Sequence, residues 1–166
     1  MRGGIQSGVV VPANFNSGNQ IVISGSLAGV EAACKLCKDR GAKRAIMLEV
    51  GGAFHSPLMA PAAAEMTAYL GGTYFKNPAI PVVPNVTART EADGGNIRRL
   101  LVQQLTAPVR WHQTMEYFNN EKIDMLIEIG PGKVLSGLAK RELPDAKIIN
   151  IDTLEDIRNF STVAVG

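Results

Sequence analysis

The sequence predicts an α/β fold, and three observations carry that expectation. Short, apolar, β-branched runs end in glycine, as in QIVISG (residues 20–25) and DMLIEIG (124–130). Between them lie stretches whose apolar residues recur at helical spacing. The two kinds of segment alternate along the chain, the order that builds a parallel sheet with helices on its faces.

Taken in order, QIVISG is the first strand. From Leu27 to about Arg40, the residues Val30, Ala33, Cys34 and Cys37 fall at helical spacing, and Gly41 follows where a helix end favours a left-handed residue. AKRAIMLEV (42–50) is the expected next strand. Ser56 suits an N-cap and Pro57 the first helical position, with Leu58, Ala62 and Met66 lining a helix to about Leu70. IPVVPNVTA (80–88) reads as a strand that Pro81 and Pro84 restrict to strand ends or a sheet edge. A polar turn over 91–96 precedes helices near 97–105 and 111–119. MLIEI, a helix starting near Pro131, KIINID and a short helix through Phe160 complete the chain. The expected result is an incomplete parallel sheet flanked by helices, with a small antiparallel sheet near the N-terminus. Apolar sheet edges should lie open, and the Gly51-Gly52 pair marks the expected domain boundary.

Bulk properties exclude several classes. At 166 residues and 46% hydrophobic, the chain suits one domain, or one with a small appendage. Seventeen Lys and Arg against fifteen Asp and Glu leave a net charge of +2, too balanced to point to nucleic acid or an anionic membrane. No apolar run approaches a membrane span, and MRGGIQSGVVVP lacks the central apolar region of a signal peptide. A cytoplasmic location is therefore expected. Two cysteines build no disulfide framework.

Among residues able to carry chemistry, His55 in GGAFHSPLM stands out, one of two histidines and set between a glycine pair and a Ser-Pro step. The residues alone leave three readings open: a general base, a metal ligand, or a polar residue bonded within a turn. Cys34 and Cys37 form C-x-x-C, but inside a helical stretch and without a second pair, so two core cysteines are the expectation and no metal site. GPGKVLSG lacks the first glycine and the Ser or Thr of a phosphate-binding loop. His112, after Trp111 at a helix start, reads as a surface or capping residue.

Five segments then converge on one family. PANFNSGNQIVISG, KRAIMLEVGGAFHSPLM, VVPNVTA, LLVQQLTAPVRW and EIGPGKVLSGLAKR, in this order, closely resemble the second half of malonyl-CoA:acyl carrier protein transacylases. The resemblance covers nearly all of the chain. It implies a partial α/β-hydrolase-like large subdomain over residues 51–166 and part of a ferredoxin-like small subdomain over 1–50. It implies transfer of a malonyl group from malonyl-CoA to the phosphopantetheine thiol of acyl carrier protein through an acyl-serine, with no cofactor beyond these substrates.

By the same resemblance, His55 matches the family's catalytic base, and Gln104 in LVQQL matches the residue whose backbone carbonyl orients it. Phe54 matches a pocket residue that is bulky where malonyl is used, while its bland reading is a core aromatic at the junction. Asn14 and Asn16 match a loop facing the cleft, or serve turn chemistry. The family's serine in GHSLGE, its malonyl-binding arginine and an early glutamine precede the matching region, and the 166 residues contain no G-x-S-x-G. Ser24, Ser26, Ser56 and Ser136 all lack flanking glycines at the spacing this motif needs. Two functions follow from the resemblance. The chain is either an acyltransferase half that works with a complementing N-terminal half, or a non-catalytic remnant that binds acyl carrier protein.

Overall fold

The structure, a computed structural model, describes residues 8–163. These residues form two compact units, the first ending at Trp111 and the second starting at His112. In the first unit, β1 (Val10–Ser17) and β2 (Gln20–Gly25) pair antiparallel, from Val10 opposite Gly25 to Ser17 opposite Gln20. This is the small antiparallel sheet expected near the N-terminus. The register shifts on either side of Asn14 and Phe15.

β1 also binds a distant segment. Asn14 pairs with Val109 in a parallel bridge, Phe15 N donates to the Val109 carbonyl at 2.9 Å, and Val109 N donates to the Ala13 carbonyl at 2.8 Å. Residues flanking Pro108 are thereby fixed against the hairpin. Helix α1 (Leu27–Asp39) follows β2, capped by Ser26, whose hydroxyl accepts from Gly29 N at 3.3 Å. Gly41 takes φ of +90°, the left-handed conformation expected after a helix end.

Two expected strands do not form. Residues 42–50 carry no strand, and Ile46, Met47, Leu48 and Val50 are exposed. A strand exists by virtue of its ladder, and no described strand pairs with this one. Over 80–88 there is one isolated bridge, between Val82 and Glu91. Pro84 supplies no N–H, and its carbonyl instead accepts from Thr87 N and Ala88 N at 3.2 and 2.9 Å, curling the chain into a turn. Helix α2 (Ala60–Gly71) follows a short 3-10 turn over Pro57–Met59. Helix α3 (Gly94–Gln104) begins three residues earlier than its spacing suggested, because Asp93 caps it by accepting from Asn96 N at 2.7 Å.

The second unit holds α4 (Trp111–Asn120), which opens at the boundary, then β3 (Met125–Ile129), α5 (Val134–Glu142), β4 (Lys147–Ile151) and α6 (Leu154–Val163). β3 and β4 pair in parallel with Ile127 opposite Ile149, the strand–helix–strand order expected of an α/β chain. α5 starts later than Pro131 because Gly130 and Gly132 take φ of +129° and +90°, which helices exclude.

Apolar surface is abundant. Met125, Ile127 and Ile129 alternate along β3 and all three are exposed, Ile129 at 80%. Large apolar patches of this kind drive association. Sedimentation velocity of the chain alone should therefore show species above its 17.7 kDa monomer mass, growing with concentration. A single monomeric boundary with one cooperative melt would contradict this expectation.

Candidate functional site around His55

The site is assembled entirely within the first unit. Ser56 is 0% exposed, and its hydroxyl donates to the Ala53 carbonyl at 2.7 Å while accepting from Leu58 N at 3.3 Å. Its own carbonyl accepts from Met59 N at 3.0 Å, so the chain turns sharply into the 3-10 segment and α2. Between these anchors His55 adopts φ of +59°, the left-handed region, which costs a non-glycine residue roughly 1–2 kcal/mol.

That backbone places the ring against the end of α3. Nδ1 of His55 lies 2.9 Å from the backbone carbonyl oxygen of Gln104. The residue four positions on from Gln104 is Pro108, which has no N–H to return to this carbonyl. The neighbouring carbonyls have helical-type partners: Val102 accepts from Leu105 N, and Gln103 from Thr106 N and Ala107 N. A carbonyl can only accept, so Nδ1 carries the hydrogen and Nε2 keeps its lone pair. The Gln104 side-chain amide, 3.3 Å from the same Nδ1, donates instead to the Ala107 carbonyl at 3.0 Å.

His55 borders an open groove of about 300 Å³, with Pro12 and Phe15 of β1, Pro57, Thr106, Pro108 and Arg110 along it. The groove is thus largely apolar, with an imidazole and a guanidinium on its walls. Of the residues expected here, His55 and Gln104 come together. Phe54 does not line the groove; its ring is half-exposed and leans over Gly52, its tip 3.3 Å from where a side-chain carbon on that glycine would sit. Asn14 and Asn16 lie on β1 rather than in a cleft loop, and Phe15 between them lines the groove. Sequence reasoning missed Phe15 and Arg110, although both sit inside the quoted segments PANFN and APVRW.

No family model matches the chain. A malonyl CoA-acyl carrier protein transacylase of Haemophilus influenzae is 43% identical over 155 residues, which are 93% of this chain and 49% of that protein. The solved acyl-carrier-protein-S-malonyltransferase of Bartonella henselae superposes with a TM-score of 0.90 at 42% identity, over 97% of this chain and 51% of that one. A malonyl-transacylase solved in complex with its type II PKS acyl-carrier protein gives 0.87 at 42% identity, over 95% and 51%. The chain is homologous to half of a malonyl CoA-acyl carrier protein transacylase. It spans about half the length of the curated relatives it matches.

The second unit of this transacylase homologue holds two polar clusters of another kind. Glu128 of β3 reaches the start of α5, accepting from Ser136 N at 2.8 Å, Leu135 N at 3.1 Å and the Ser136 hydroxyl. The Ser136 hydroxyl is the largest cause holding the Glu128 carboxyl below its ordinary pKa, with the main-chain N–H groups adding to it against an opposing desolvation. The first N–H groups of α5 are therefore occupied by the chain's own carboxylate. Since folding lowers this pKa, its stabilising effect is fully present above the ordinary carboxylate range and is lost as pH falls below it. Glu128→Gln should flatten the acid limb of stability measured by urea unfolding against pH; an unchanged limb would refute that assignment.

His112 is half-buried and bridges two carboxylates, with Nδ1 2.6 Å from Glu142 and Nε2 3.7 Å from Glu116. It ties α4 to the end of α5, a tertiary staple rather than a surface or capping group. The two cysteines depart from the expected core pair. Cys34 is half-buried and Cys37 exposed, because the C-terminal half of α1 is itself exposed, Leu36 included. Among the described residues no three His, Cys, Asp or Glu gather into a metal-binding group, and no described helix is long and apolar enough to cross a membrane.

Proposed function

We propose that the chain supplies the general-base half of a malonyl-CoA:acyl carrier protein transacylase. The observation that carries this reading is the 2.9 Å contact between His55 Nδ1 and the Gln104 carbonyl, which leaves Nε2 free as a base beside an apolar groove. In the proposed reaction the serine of a complementing half attacks the malonyl thioester carbon as Nε2 takes the hydroxyl proton. The tetrahedral intermediate collapses by breaking the carbon–sulfur bond, and the imidazolium returns the proton to the departing coenzyme A sulfur. The phosphopantetheine thiol of acyl carrier protein then gives its proton to Nε2, attacks the acyl-serine, and the serine oxygen leaves with that proton. Through both transfers the Gln104 carbonyl faces Nδ1–H and stabilises the transient positive charge. The proton circulates between one imidazole and the substrates, so this reading requires no cofactor.

The same reading takes residues 1–50 as part of a ferredoxin-like small subdomain and 51–166 as the C-terminal part of an α/β-hydrolase-like one, in a cytoplasmic enzyme. The β1–β2 pair with α1 against it supports the first assignment. Phe54 at the junction is assigned to the malonyl pocket of the complete enzyme. The alternative reading is a non-catalytic remnant or scaffold that binds acyl carrier protein. Mixing the chain with the N-terminal half of the Haemophilus influenzae relative separates the two. Malonyl label reaching acyl carrier protein supports the first reading. A mixture that forms a complex with the carrier and yet transfers nothing supports the second.

A further inference from the structure

We infer that Ser56 is the positioning residue that sets the His55 imidazole, acting from inside the fold without reaching any substrate. The inference deepens the reading of His55 as the base and rests on it. An N-cap hydroxyl needs one bond, accepted from a helix N–H, and the bond from Leu58 N meets that need. The same hydroxyl also donates backward to the Ala53 carbonyl at 2.7 Å, a bond that capping does not require. It closes a ring of main chain and side chain around two residues, Phe54 and His55. Of these, His55 has the left-handed backbone, with φ of +59°.

Closure of that ring is what opposes relaxation of His55 to an ordinary negative φ. Relaxation would swing its Cα–Cβ bond and carry Nδ1 away from the Gln104 carbonyl, 2.9 Å distant, and with it the tautomer that leaves Nε2 bare. At 0% exposure the hydroxyl has no access to solvent, and both its hydrogen and a lone pair are used within the turn. Nothing else in this loop holds Ala53 to the residues beyond His55 by a side chain among the bonds described.

The test is nitrogen-15 NMR of the His55 ring in the 166-residue chain, with the backbone amide spectrum reporting the fold. The unaltered chain should show Nδ1 protonated and Nε2 bare in the neutral ring. Ser56→Ala should show averaged tautomers with the α2 and α3 amides unmoved. Ser56→Cys, close in volume and a weaker donor, should fall between and serves if the alanine variant does not fold. A folded variant that keeps the unaltered tautomer preference overturns the inference. In the enzyme completed with the complementing half, Ser56→Ala should lower kcat about tenfold with KM changed less than about twofold. The ring measurement decides the role of Ser56, whereas the rate of His55→Ala in the same mixture decides the reading on which it rests.

Discussion

Incubated with radiolabelled malonyl-CoA and acyl carrier protein, the 166-residue chain is expected to leave both itself and the carrier unlabelled. General acid–base assistance contributes about 10²- to 10⁴-fold, and only to an attack that some positioned oxygen or sulfur is making. The structure narrows the candidates for an unforeseen nucleophile. Ser56 is fully enclosed, the Ser26 hydroxyl caps α1, and Ser136 is buried against Glu128. Cys37 is the exposed thiol. Adding the N-terminal half of a relative should raise transfer from background to a readily measured rate. Enzyme-like labelling of the isolated chain would overturn the half-enzyme reading, and Cys37→Ser would then show whether that thiol is responsible.

In the completed enzyme, His55→Ala is expected to lower kcat/KM about 10²- to 10⁴-fold, the ordinary worth of a positioned base. The change should appear in acylation as well as transfer, because one imidazole serves both proton movements. Alanine keeps the strain of the left-handed backbone, so His55→Asn, which tolerates that conformation better, is the companion variant. Both should retain the circular-dichroism spectrum and melting behaviour of the unaltered mixture. A rate within threefold, on the order of 0.7 kcal/mol in the barrier, would remove His55 from the chemistry.

Much of this was legible in the residues because local rules dominate where a segment completes its own bonding. QIVISG, MLIEI and KIINI became strands since each has its partner within the chain, and Ser56 and Pro57 opened a helical turn as capping chemistry requires. AKRAIMLEV has equal apolar character and formed no strand, because a ladder depends on a neighbour that local composition does not supply. IPVVPNVTA forms no strand for a local reason: Pro84 has no N–H to give a ladder and its carbonyl turns the chain, which outweighs the β-branched valines. His55 and Gln104, 49 positions apart, were joined through family resemblance rather than through spacing. Phe15 and Arg110 escaped because a groove is a tertiary object, made when residues around Pro108 bridge to β1.

The absent N–H of Pro108 has a consequence for how such a site tolerates change over generations. The group facing the base is a peptide oxygen, present whatever residue occupies position 104, so no single codon encodes it. Substitution there alters the amide clamp on Ala107 and leaves the acceptor standing. Position 108 carries the opposite burden, for any residue with an N–H could reclaim the carbonyl for one more helical bond and compete with the imidazole. In this chain the residue that keeps the orienting carbonyl open is a proline four positions downstream, and a search for an acidic third member of a triad would pass it by.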